Sequence, residues 1–409
     1  MTTRRIFDGI KVVDFGWVGV GPISAKHLAD HGATVIRVES TQRPDVLRLA
    51  GPFAGGKPGI NRSQFWADYN SSKLSVGLNL ATETGRALAR RLVVEWADVV
   101  VEGYTPKQMR AWGLHYEDLS RDRPDLVMLS TSQMGQTGPY NLYAGYGTQA
   151  AALAGYYNVT GWPDRPPVVV YGAYTDMLTP HFNVALLAAA LDRRRRTGRG
   201  LWIDTSQMEV GILCQGAAVL DYTANGRVAV RNGNRDDRAI PHGAFPCGGE
   251  DRWVAIAVFT DEQWKGLCRV IERDELASDP AYATAARRRE HEGAIEELIA
   301  AWTRQLSPQE AMARLQAVGV PAGAVLWMSD LHEDPHIRHW GFFEWPEHPV
   351  IGAAPYDGFM SHFSKTPGRL DRAPKIAEHT EHVMREVLRL SDEEIGQMLA
   401  TEAIEFPPE

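Results

Sequence analysis

The sequence predicts an α/β protein in which helices cover a parallel sheet and a smaller second domain is inserted into the chain. Short apolar runs alternate with helical patterns through the first third of the chain, which is typical of parallel strands joined by crossover helices. Near residue 226 this alternation gives way to antiparallel-type strands and charged helices, and it resumes near residue 326. We therefore predict a large domain from residues 1–225 and 326–409 and an inserted α+β domain from residues 226–325.

Local signals define the elements of the large domain. Short, mainly apolar runs predict buried strands at residues 10–15, 33–38, 98–101, 126–129 and 201–203. Apolar residues at helical spacing predict helices at residues 23–31, 83–96, 106–112, 177–192 and 206–223. Pro22 suits the start of the first helix, and Gly198 follows the basic end of the fourth.

The second half of the chain has a different pattern. In the inserted domain we predict antiparallel strands at residues 244–246 and 253–258 and helices at residues 262–272 and 290–306. The chain closes with predicted helices at residues 378–388 and 392–400.

The composition is that of a globular protein. Of 409 residues, 44% are apolar and 23% charged, and the net charge of −8 argues against a nucleic-acid partner. No apolar run is long enough to cross a bilayer and residues 1–7 lack an apolar signal segment, so we expect a cytoplasmic protein without a membrane partner. The three cysteines are far apart, and neither they nor the histidines show metal-ligand spacing, so no metal site is predicted.

A glycine-rich turn, Gly19-Val20-Gly21-Pro22, follows the first predicted strand. Glycines there permit a close approach to a ligand, and the start of the next helix favours anions. Glu39 ends the second strand, where a dinucleotide-binding fold holds its ribose-binding acid. Because Ser24 replaces the third glycine of that motif, an NAD site and a purely structural turn both remain open.

Asp176 stands at the start of the predicted helix 177–192. Free backbone N–H groups and the helix dipole stabilise a carboxylate there, and an ionised carboxylate is a nucleophile suited to acyl transfer. An acidic residue at this place is also an ordinary helix cap, so the pattern alone leaves a structural role open.

A resemblance to a known family covers nearly the whole chain. The matching segments are FDGIKVVDF (7–15), GATVIRVE (32–39), KLSVGLNL (73–80), VVEGY (100–104), GQTGPY (135–140), RTGRG (196–200), GVPAG (319–323), DPH (334–336), EHT (378–380) and LSDEEI (390–395). Each motif is loose, but their order and spacing together are specific. The sequence resembles class III coenzyme A transferases.

The resemblance implies a Rossmann-like large domain built from both chain ends, a smaller inserted domain and an interlocked dimer. It also implies that Asp176 is the nucleophile, which forms a mixed anhydride with the acyl group of an acyl-CoA and then an aspartyl-CoA thioester. Coenzyme A is thus a substrate, and no permanently bound cofactor is expected. Positions that correspond to the family's CoA contacts are Gly19, Val20, Leu78, Asn79, Leu80, Gly103, Tyr104, Thr105 and Tyr146, with Arg110 a candidate for a CoA phosphate.

The acids exchanged are a hypothesis at this point. We expect an acyl-CoA donor such as succinyl-CoA and a carboxylic acid acceptor. Aromatic residues expected near Asp176 suggest an aryl-substituted dicarboxylate such as benzylsuccinate; they are Trp17, Trp66, Tyr104, Tyr146 and Tyr174. Carnitine-like acids are a second option.

Two alternatives share the implied fold. An acyl-CoA racemase needs an acid and a base on opposite sides of a carbon, but Tyr146-Gly147 replaces the His-Asp pair of that branch. A partner subunit in a heteromeric CoA-transferase is the other alternative.

Overall fold

The computed structural model describes residues 4–407, and these form two compact units. The first unit contains the chain up to Tyr156, Val169–Arg227 and the chain from His339 onward. The second unit contains Tyr157–Val168 and Val228–Arg338. Assignment of these units as the predicted domains 1–225, 226–325 and 326–409 stays a prediction. No helix within the described residues is both long and apolar enough to cross a membrane.

The strands of both units are short. In chain order they are β1 (Lys11–Asp14), β2 (Thr34–Glu39), β3 (Leu74–Leu78), β4 (Val99–Glu102), β5 (Val127–Ser132), β6 (Leu201–Ser206), β7 (His242–Pro246), β8 (Trp253–Ala257), β9 (Ala322–Val325), β10 (Phe343–Glu344), β11 (Glu347–His348), β12 (Gly352–Ala353), β13 (Tyr356–Asp357) and β14 (Ile404–Glu405).

The helices of the first part of the chain mostly cross over between parallel strands. The α-helices are α1 (Val20–Asp30), α2 (Gln64–Asp68), α3 (Glu83–Trp96), α4 (Pro106–Ala111), α5 (Tyr116–Leu119), α6 (Gly147–Leu153), α7 (Tyr156–Val159), α8 (Tyr174–Thr197), α9 (Gln207–Cys214), α10 (Gly216–Asn225), α11 (Asp261–Val270), α12 (Asp274–Ser278), α13 (Ala285–Glu290), α14 (Glu292–Thr303), α15 (Pro308–Gln316), α16 (Met328–Leu331), α17 (Pro335–Trp340), α18 (Thr380–His382) and α19 (Asp392–Ala400).

The first unit is built on a seven-stranded sheet with the strand order β14-β3-β2-β1-β4-β5-β6. All neighbouring strands are parallel except β14, which pairs antiparallel with β3. The chain runs outward from β1 to β3, returns to β4 beside β1, and runs outward again. The strand order therefore reverses between β1 and β4, and open α/β sheets bind ligands beyond the carboxyl ends of the strands at such a point.

Apolar clusters cover both faces of this sheet. One cluster includes Val13, Ile36 and Leu92, and the other includes Val12, Leu28 and Leu187. Because successive residues of β1 point to opposite faces, Val12 and Val13 belong to different clusters. The sheet is thus buried on both sides, and the predicted fold class, α/β with a large parallel sheet, is confirmed.

The second unit is smaller and has its own core. Its antiparallel sheet has the order β7-β8-β9, with Phe245 opposite Val254 and Ala255 opposite Gly323. Trp264 and Leu267 of α11 and other buried side chains pack against this sheet. Helices α11 and α15 each begin with a capping box, in which a side chain satisfies the free N–H groups of the first turn.

Two predicted helices differ from the observed ones. The helix predicted at 206–223 is divided at Gln215, where ψ is 14°, and the next residue, Gly216, has a low helix propensity. The helix predicted at 378–388 is reduced to α18 and a π-helical turn at Val383–Val387. Residues before α18 lie outside the helix because Ala377 has φ of 59° and the His379 N–H donates to the carbonyl of Ser75 in β3 at 2.8 Å.

Candidate active site

A cavity of about 510 Å³ opens beyond the carboxyl ends of β1, β4 and β5, within the first unit. It lies where the strand order of the sheet reverses. Seven of the sequence-predicted site residues line it, namely Gly19, Val20, Gly103, Tyr104, Thr105, Tyr146 and Asp176. Segments that are far apart in the sequence thus come together to line a single cavity.

Asp176 is the third residue of α8 and is 7% exposed. Its Oδ2 accepts a hydrogen bond from the N–H of Gly147 at 3.3 Å. A Cβ atom on Gly147 would lie 2.7 Å from the Asp176 Cγ, so only glycine fits there without displacing the carboxyl group. The first residue of α6 is therefore packed directly against the candidate nucleophile.

Burial dominates the ionisation of Asp176. It raises the pKa of this carboxyl to about 6, and the Gly147 N–H opposes the shift. The start of a helix is expected to favour the anion, but here the pKa is raised because desolvation outweighs one long hydrogen bond. At neutral pH the group is still mostly ionised, and it is less solvated than an exposed carboxylate.

The loop between β1 and α1 forms the wall nearest to Asp176. A Cβ atom on Gly19 would lie 3.4 Å from the Cβ of Asp176. Val18, the residue before it, has φ of 62°, a left-handed conformation that is strained for a β-branched side chain. Such strain persists only where the surroundings fix the backbone.

Buried charges fix this loop. The Asp14 Oδ1 accepts the N–H of Gly16 at 2.7 Å, and the Asp45 Oδ2 accepts the N–H of Val18 at 3.1 Å. One guanidinium, that of Arg37, joins both carboxylates at 3.3 and 2.7 Å. The loop is thus held at two of its amides by side chains that are themselves buried.

Lys73 completes the cluster. Its Nζ lies 2.8 Å from Asp14 Oδ2 and 2.8 Å from the carbonyl oxygen of Pro22, in the first turn of α1. Burial opposes the ionisation of Asp14, but Lys73 and Arg37 outweigh it and lower the pKa of Asp14. Two carboxylates and two cations balance in charge, as buried ionic groups require.

The start of α1 also presents free amides to the cavity. Val20 and Gly21 are its first two residues and line the cavity, and the first N–H groups of a helix have no intrahelical partner. These donors lie beside Gly19 and hence beside Asp176. These N–H donors can stabilise negative charge that develops on an oxygen of the Asp176 carboxyl group when its carbon is attacked.

Tyr104 forms part of another wall. Its ring contacts those of Trp17 and Trp112 at centroid distances of 6.3 and 5.3 Å. Its N–H donates to Glu102 Oε2 at 2.8 Å, and its carbonyl accepts from Gln136 Nε2 at 2.8 Å. Burial raises the pKa of Glu102 to about 7, against hydrogen bonds from Ser130 and the Tyr104 N–H.

Four predicted contact residues lie outside the lining of this cavity, namely Leu78, Asn79, Leu80 and Arg110. Leu78 belongs to the apolar core, and the Asn79 Oδ1 accepts the N–H of Ala81. The Arg110 guanidinium binds Glu117 at 3.1 Å on the surface. Within the described residues, the lining contains no lysine, arginine or histidine, so these four stay predictions for a CoA chain that extends beyond the cavity.

Two other expectations change in the structure. Glu39, the candidate ribose-binding acid, is buried and bound by Arg48 through both oxygens at 2.8 Å, which leaves the NAD interpretation without its acid. Trp66 is also buried, with the Arg48 guanidinium 3.3 Å from its ring centroid, and neither it nor Tyr174 lines the cavity. The expected aromatic surroundings of Asp176 reduce to Trp17, Tyr104 and Tyr146, with Tyr143 added.

Several lining or contacting residues were not predicted as site residues, among them Gln133, Gly147 and Gln207. Gln133 and Gln207 each directly follow a strand, β5 and β6, and that position at the carboxyl edge of a parallel sheet was the available signal. Gly147 gave no local signal because its role depends on a residue 29 positions away.

Comparison with known proteins identifies the family. Residues 7–380 match the model of CoA-transferase family III. Succinyl-CoA–D-citramalate CoA-transferase of Chloroflexus aurantiacus is 30% identical over 98% of this chain and 98% of its own length. Succinate–glutarate CoA-transferase of Agrobacterium fabrum is 32% identical, over 93% of this chain and 95% of its own.

A solved structure supports the same conclusion. The crystal structure of a CAIB/BAIF family protein from Brucella suis superposes with a TM-score of 0.85 and 31% identity, covering 94% of this chain and all of that one. The predicted resemblance is confirmed: this chain belongs to CoA-transferase family III and is an enzyme of that class.

Proposed function

We propose that this protein transfers coenzyme A from succinyl-CoA to a second carboxylic acid, with Asp176 as the nucleophile. The observation that carries the proposal is a buried carboxyl group, packed against Gly19 and Gly147, in a cavity at the reversal point of the sheet. Similar proteins are named for transfer from succinyl-CoA to D-citramalate and to L-malate and for succinate–glutarate exchange.

The proposed reaction begins at the thioester carbon of succinyl-CoA. An oxygen of Asp176 attacks it, the carbon–sulfur bond breaks, and CoA leaves as a thiolate. The thiolate then attacks the aspartyl carbonyl of the mixed anhydride and releases succinate, so that Asp176 becomes a CoA thioester. The acceptor carboxylate repeats these two steps in reverse and leaves with CoA, and Asp176 is regenerated.

Each attack creates an oxyanion, and the free amides at the start of α1 are the proposed donors. Val20 and Gly21 line the cavity, and the adjoining loop is fixed by Asp14 and Asp45, so the donors are oriented before the substrate binds. Preorganised donors of this kind stabilise the transition state without a cost of reorganisation. The reaction needs no ATP because one thioester is exchanged for another.

The acceptor is proposed as a dicarboxylic acid. Citramalate, glutarate and malate, the acids in the names of the similar proteins, are aliphatic dicarboxylates. An aryl-substituted acid such as benzylsuccinate is a narrower hypothesis, which the rings of Trp17, Tyr104 and Tyr146 in the lining support. Initial rates with succinyl-CoA and a panel of aliphatic, aryl-substituted and carnitine-like acids decide between them, and failure with every aryl acid removes the aryl hypothesis.

The racemase alternative requires two proton-transfer groups facing each other. Besides tyrosines, Asp176 is the titratable side chain in the cavity lining within residues 4–407. This favours transfer over racemisation, and retention of configuration at the α-carbon of a chiral acyl-CoA in deuterated water is the expected outcome.

The assembly is proposed as an interlocked dimer, of two identical subunits or of this chain with a paralogue. Large apolar side chains are exposed on the first unit, including Leu213, Leu220 and the 91% exposed Tyr171. Similar proteins include the alpha and beta subunits of an L-malate transferase. Light scattering of the protein expressed alone tests this: a homodimer active alone excludes an obligate partner. The cytoplasmic location, and the absence of a permanently bound cofactor, stay predictions.

A further inference from the structure

Two buried glutamines lie side by side at the carboxyl edge of the sheet. In the register of β5 and β6, Ser132 pairs with Ser206 as the last residue pair, and Gln133 and Gln207 follow directly. Both glutamines line the cavity that contains Asp176, and they are only 7% and 8% exposed. Two adjacent strand ends thus each contribute one uncharged amide to the same wall.

Most of the hydrogen-bonding capacity of these amides is unused. The Gln133 Nε2 donates to the Tyr146 carbonyl at 3.4 Å, and its Oε1 has no partner. The Gln207 Oε1 lies 3.4 Å from the Thr175 Oγ1, whose single proton has a nearer acceptor at 3.0 Å, and the Gln207 Nε2 bonds to no other described residue. Hydrogen bonds of this length are weak, whereas buried amides in folded proteins are normally well satisfied.

The Gln207 amide is connected to the turn that carries the nucleophile. Thr175, which binds it, directly precedes Asp176 and is fully buried. The same hydroxyl lies 3.0 Å from the carbonyl oxygen of Gly147, whose N–H binds Asp176. Gln207 lines the cavity and its Nε2 has no hydrogen bond to a described residue, so its N–H donors are available to a ligand.

We propose that Gln207 and Gln133 are specificity-determining residues that bind a second oxygen-bearing group of the acid whose carboxyl group reacts at Asp176. The inference deepens the proposed function and rests on it. Gln207 Nε2 donates to the remote carboxylate, and Gln133, held only weakly by Tyr146, provides the second amide. An acid that carries a methyl group in place of the remote carboxylate leaves both glutamine amides unsatisfied. The site therefore selects dicarboxylic over monocarboxylic acids.

Succinate and butyrate test this selection, because butyrate has a methyl group where succinate has its second carboxylate. The quantity measured is the ratio of kcat/KM for succinate to kcat/KM for butyrate, with one acyl-CoA donor. Since kcat/KM for the acceptor reports on the reaction with the aspartyl-CoA enzyme, effects on the donor cancel in this ratio. Gln207→Met, which keeps size and removes the donor, is expected to lower it about 10- to 100-fold, as for a hydrogen bond to a charged group.

Gln133→Met is expected to lower the same ratio less, by about 3- to 10-fold. In the wild-type protein the Gln133 amide already donates to the Tyr146 carbonyl, so less of it is available to the acid. Gln207→Glu places a negative charge on the wall and is expected to disfavour succinate more than Gln207→Met does. Gln397→Met, on the exposed surface of α19, is the matched control and is expected to leave the ratio unchanged.

Hydroxylamine trapping of the acyl-enzyme at Asp176 is measured in every variant and separates the outcomes. An unchanged ratio in both cavity variants, or equal losses for both acids, overturns the inference while leaving the proposed function intact. A wild-type enzyme that gives no trapped product overturns the proposed function and the inference with it.

Discussion

Two walls of the cavity around Asp176 are held in different ways. The β1–α1 loop (residues 15–19) is fixed by Asp14, Asp45, Arg37 and Lys73, all of them buried. The β5–α6 segment (residues 133–146) ends in the exposed residues 142–146, and the Gln133 side chain contacts it through one 3.4 Å bond. The first wall combines strain with a rigid support, whereas residues 142–146 of the second wall are exposed and bind the Gln133 side chain only weakly.

This difference matches the tasks assigned to the two walls. Donors to an oxyanion must be in place before the reaction, which a fixed loop provides. A wall that admits different acids, or that opens for the CoA chain, benefits from weak contacts and low local stability. We expect changes in the first wall to affect folding and catalysis together, and changes in the second to affect substrate choice.

Removing the Lys73 ammonium group, which supports the β1–α1 loop through Asp14, is expected to have the largest effect on stability. Lys73→Met deletes the ammonium group that lies 2.8 Å from Asp14 and leaves one buried carboxylate in excess. We expect the free energy of unfolding to fall by about 3–5 kcal/mol. Urea denaturation followed by circular dichroism measures it, with Lys265→Met, at an exposed position, as the control that stays within about 0.5 kcal/mol of wild type. Equal stability of the two variants would remove the support role of this cluster.

A methyl group between α6 and the nucleophile is expected to have the next largest effect. In Gly147→Ala the new Cβ would meet the Asp176 carboxyl at 2.7 Å, so the carboxyl group must move. Displacements near 1 Å can cost about 100-fold in rate, so we expect kcat to fall by that order. Gly293→Ala, in α14 with no atom near its added Cβ, is the matched control and should retain full activity. Native activity in Gly147→Ala would show that the carboxyl position is not critical.

The ionised carboxylate of Asp176 should lower the free energy of unfolding of the protein. Because the folded protein raises the Asp176 pKa to about 6, ionisation is unfavourable in the folded state above that pH. Asp176→Asn, which can still accept the Gly147 N–H, is expected to be about 2–3 kcal/mol more stable than wild type at pH 8. The gain should shrink as the pH falls from 6 toward 4 and vanish below about pH 3, where Asp176 is protonated in both the folded and the unfolded state. A gain that does not depend on pH would point to another cause.

The same ionisation should appear in the pH dependence of activity, with a smaller effect. Only ionised Asp176 attacks the thioester, so kcat/KM for succinyl-CoA should fall as the pH drops through about 6. Between pH 7.5 and pH 5 we expect a loss of about tenfold. Circular dichroism at each pH confirms that the protein is folded. An inflection near the ordinary aspartate value of 3.8 would show that burial does not control this group.

Local signals predicted much of the fold. Helix α3 begins and ends at the predicted residues because Thr82 caps its first turn and the segment is strongly amphipathic. The antiparallel strand β14 was not predicted, since its two residues pair with β3 more than 300 positions away in the chain. Pairing of this kind leaves no pattern in a two-residue segment.

The site could be predicted only in part. Asp176 and the Gly19–Gly21 turn were identifiable because a resemblance and a strand–turn–helix pattern marked them. Two features depend on the folded chain: the support of Val18 by Asp45, and the contact of Gly147 with Asp176. The raised pKa of Asp176 also follows from burial, which a helix-cap argument does not include.

The central claim is that Asp176 becomes covalently linked to the acyl group and then to CoA. Wild-type protein incubated with succinyl-CoA and then with hydroxylamine, digested and mapped by mass spectrometry, tests it directly. We predict a hydroxamate on the peptide that contains Asp176, lost in Asp176→Asn together with CoA transfer. A modification on another residue, or an Asp176→Asn enzyme that transfers CoA at the wild-type rate, would contradict the account.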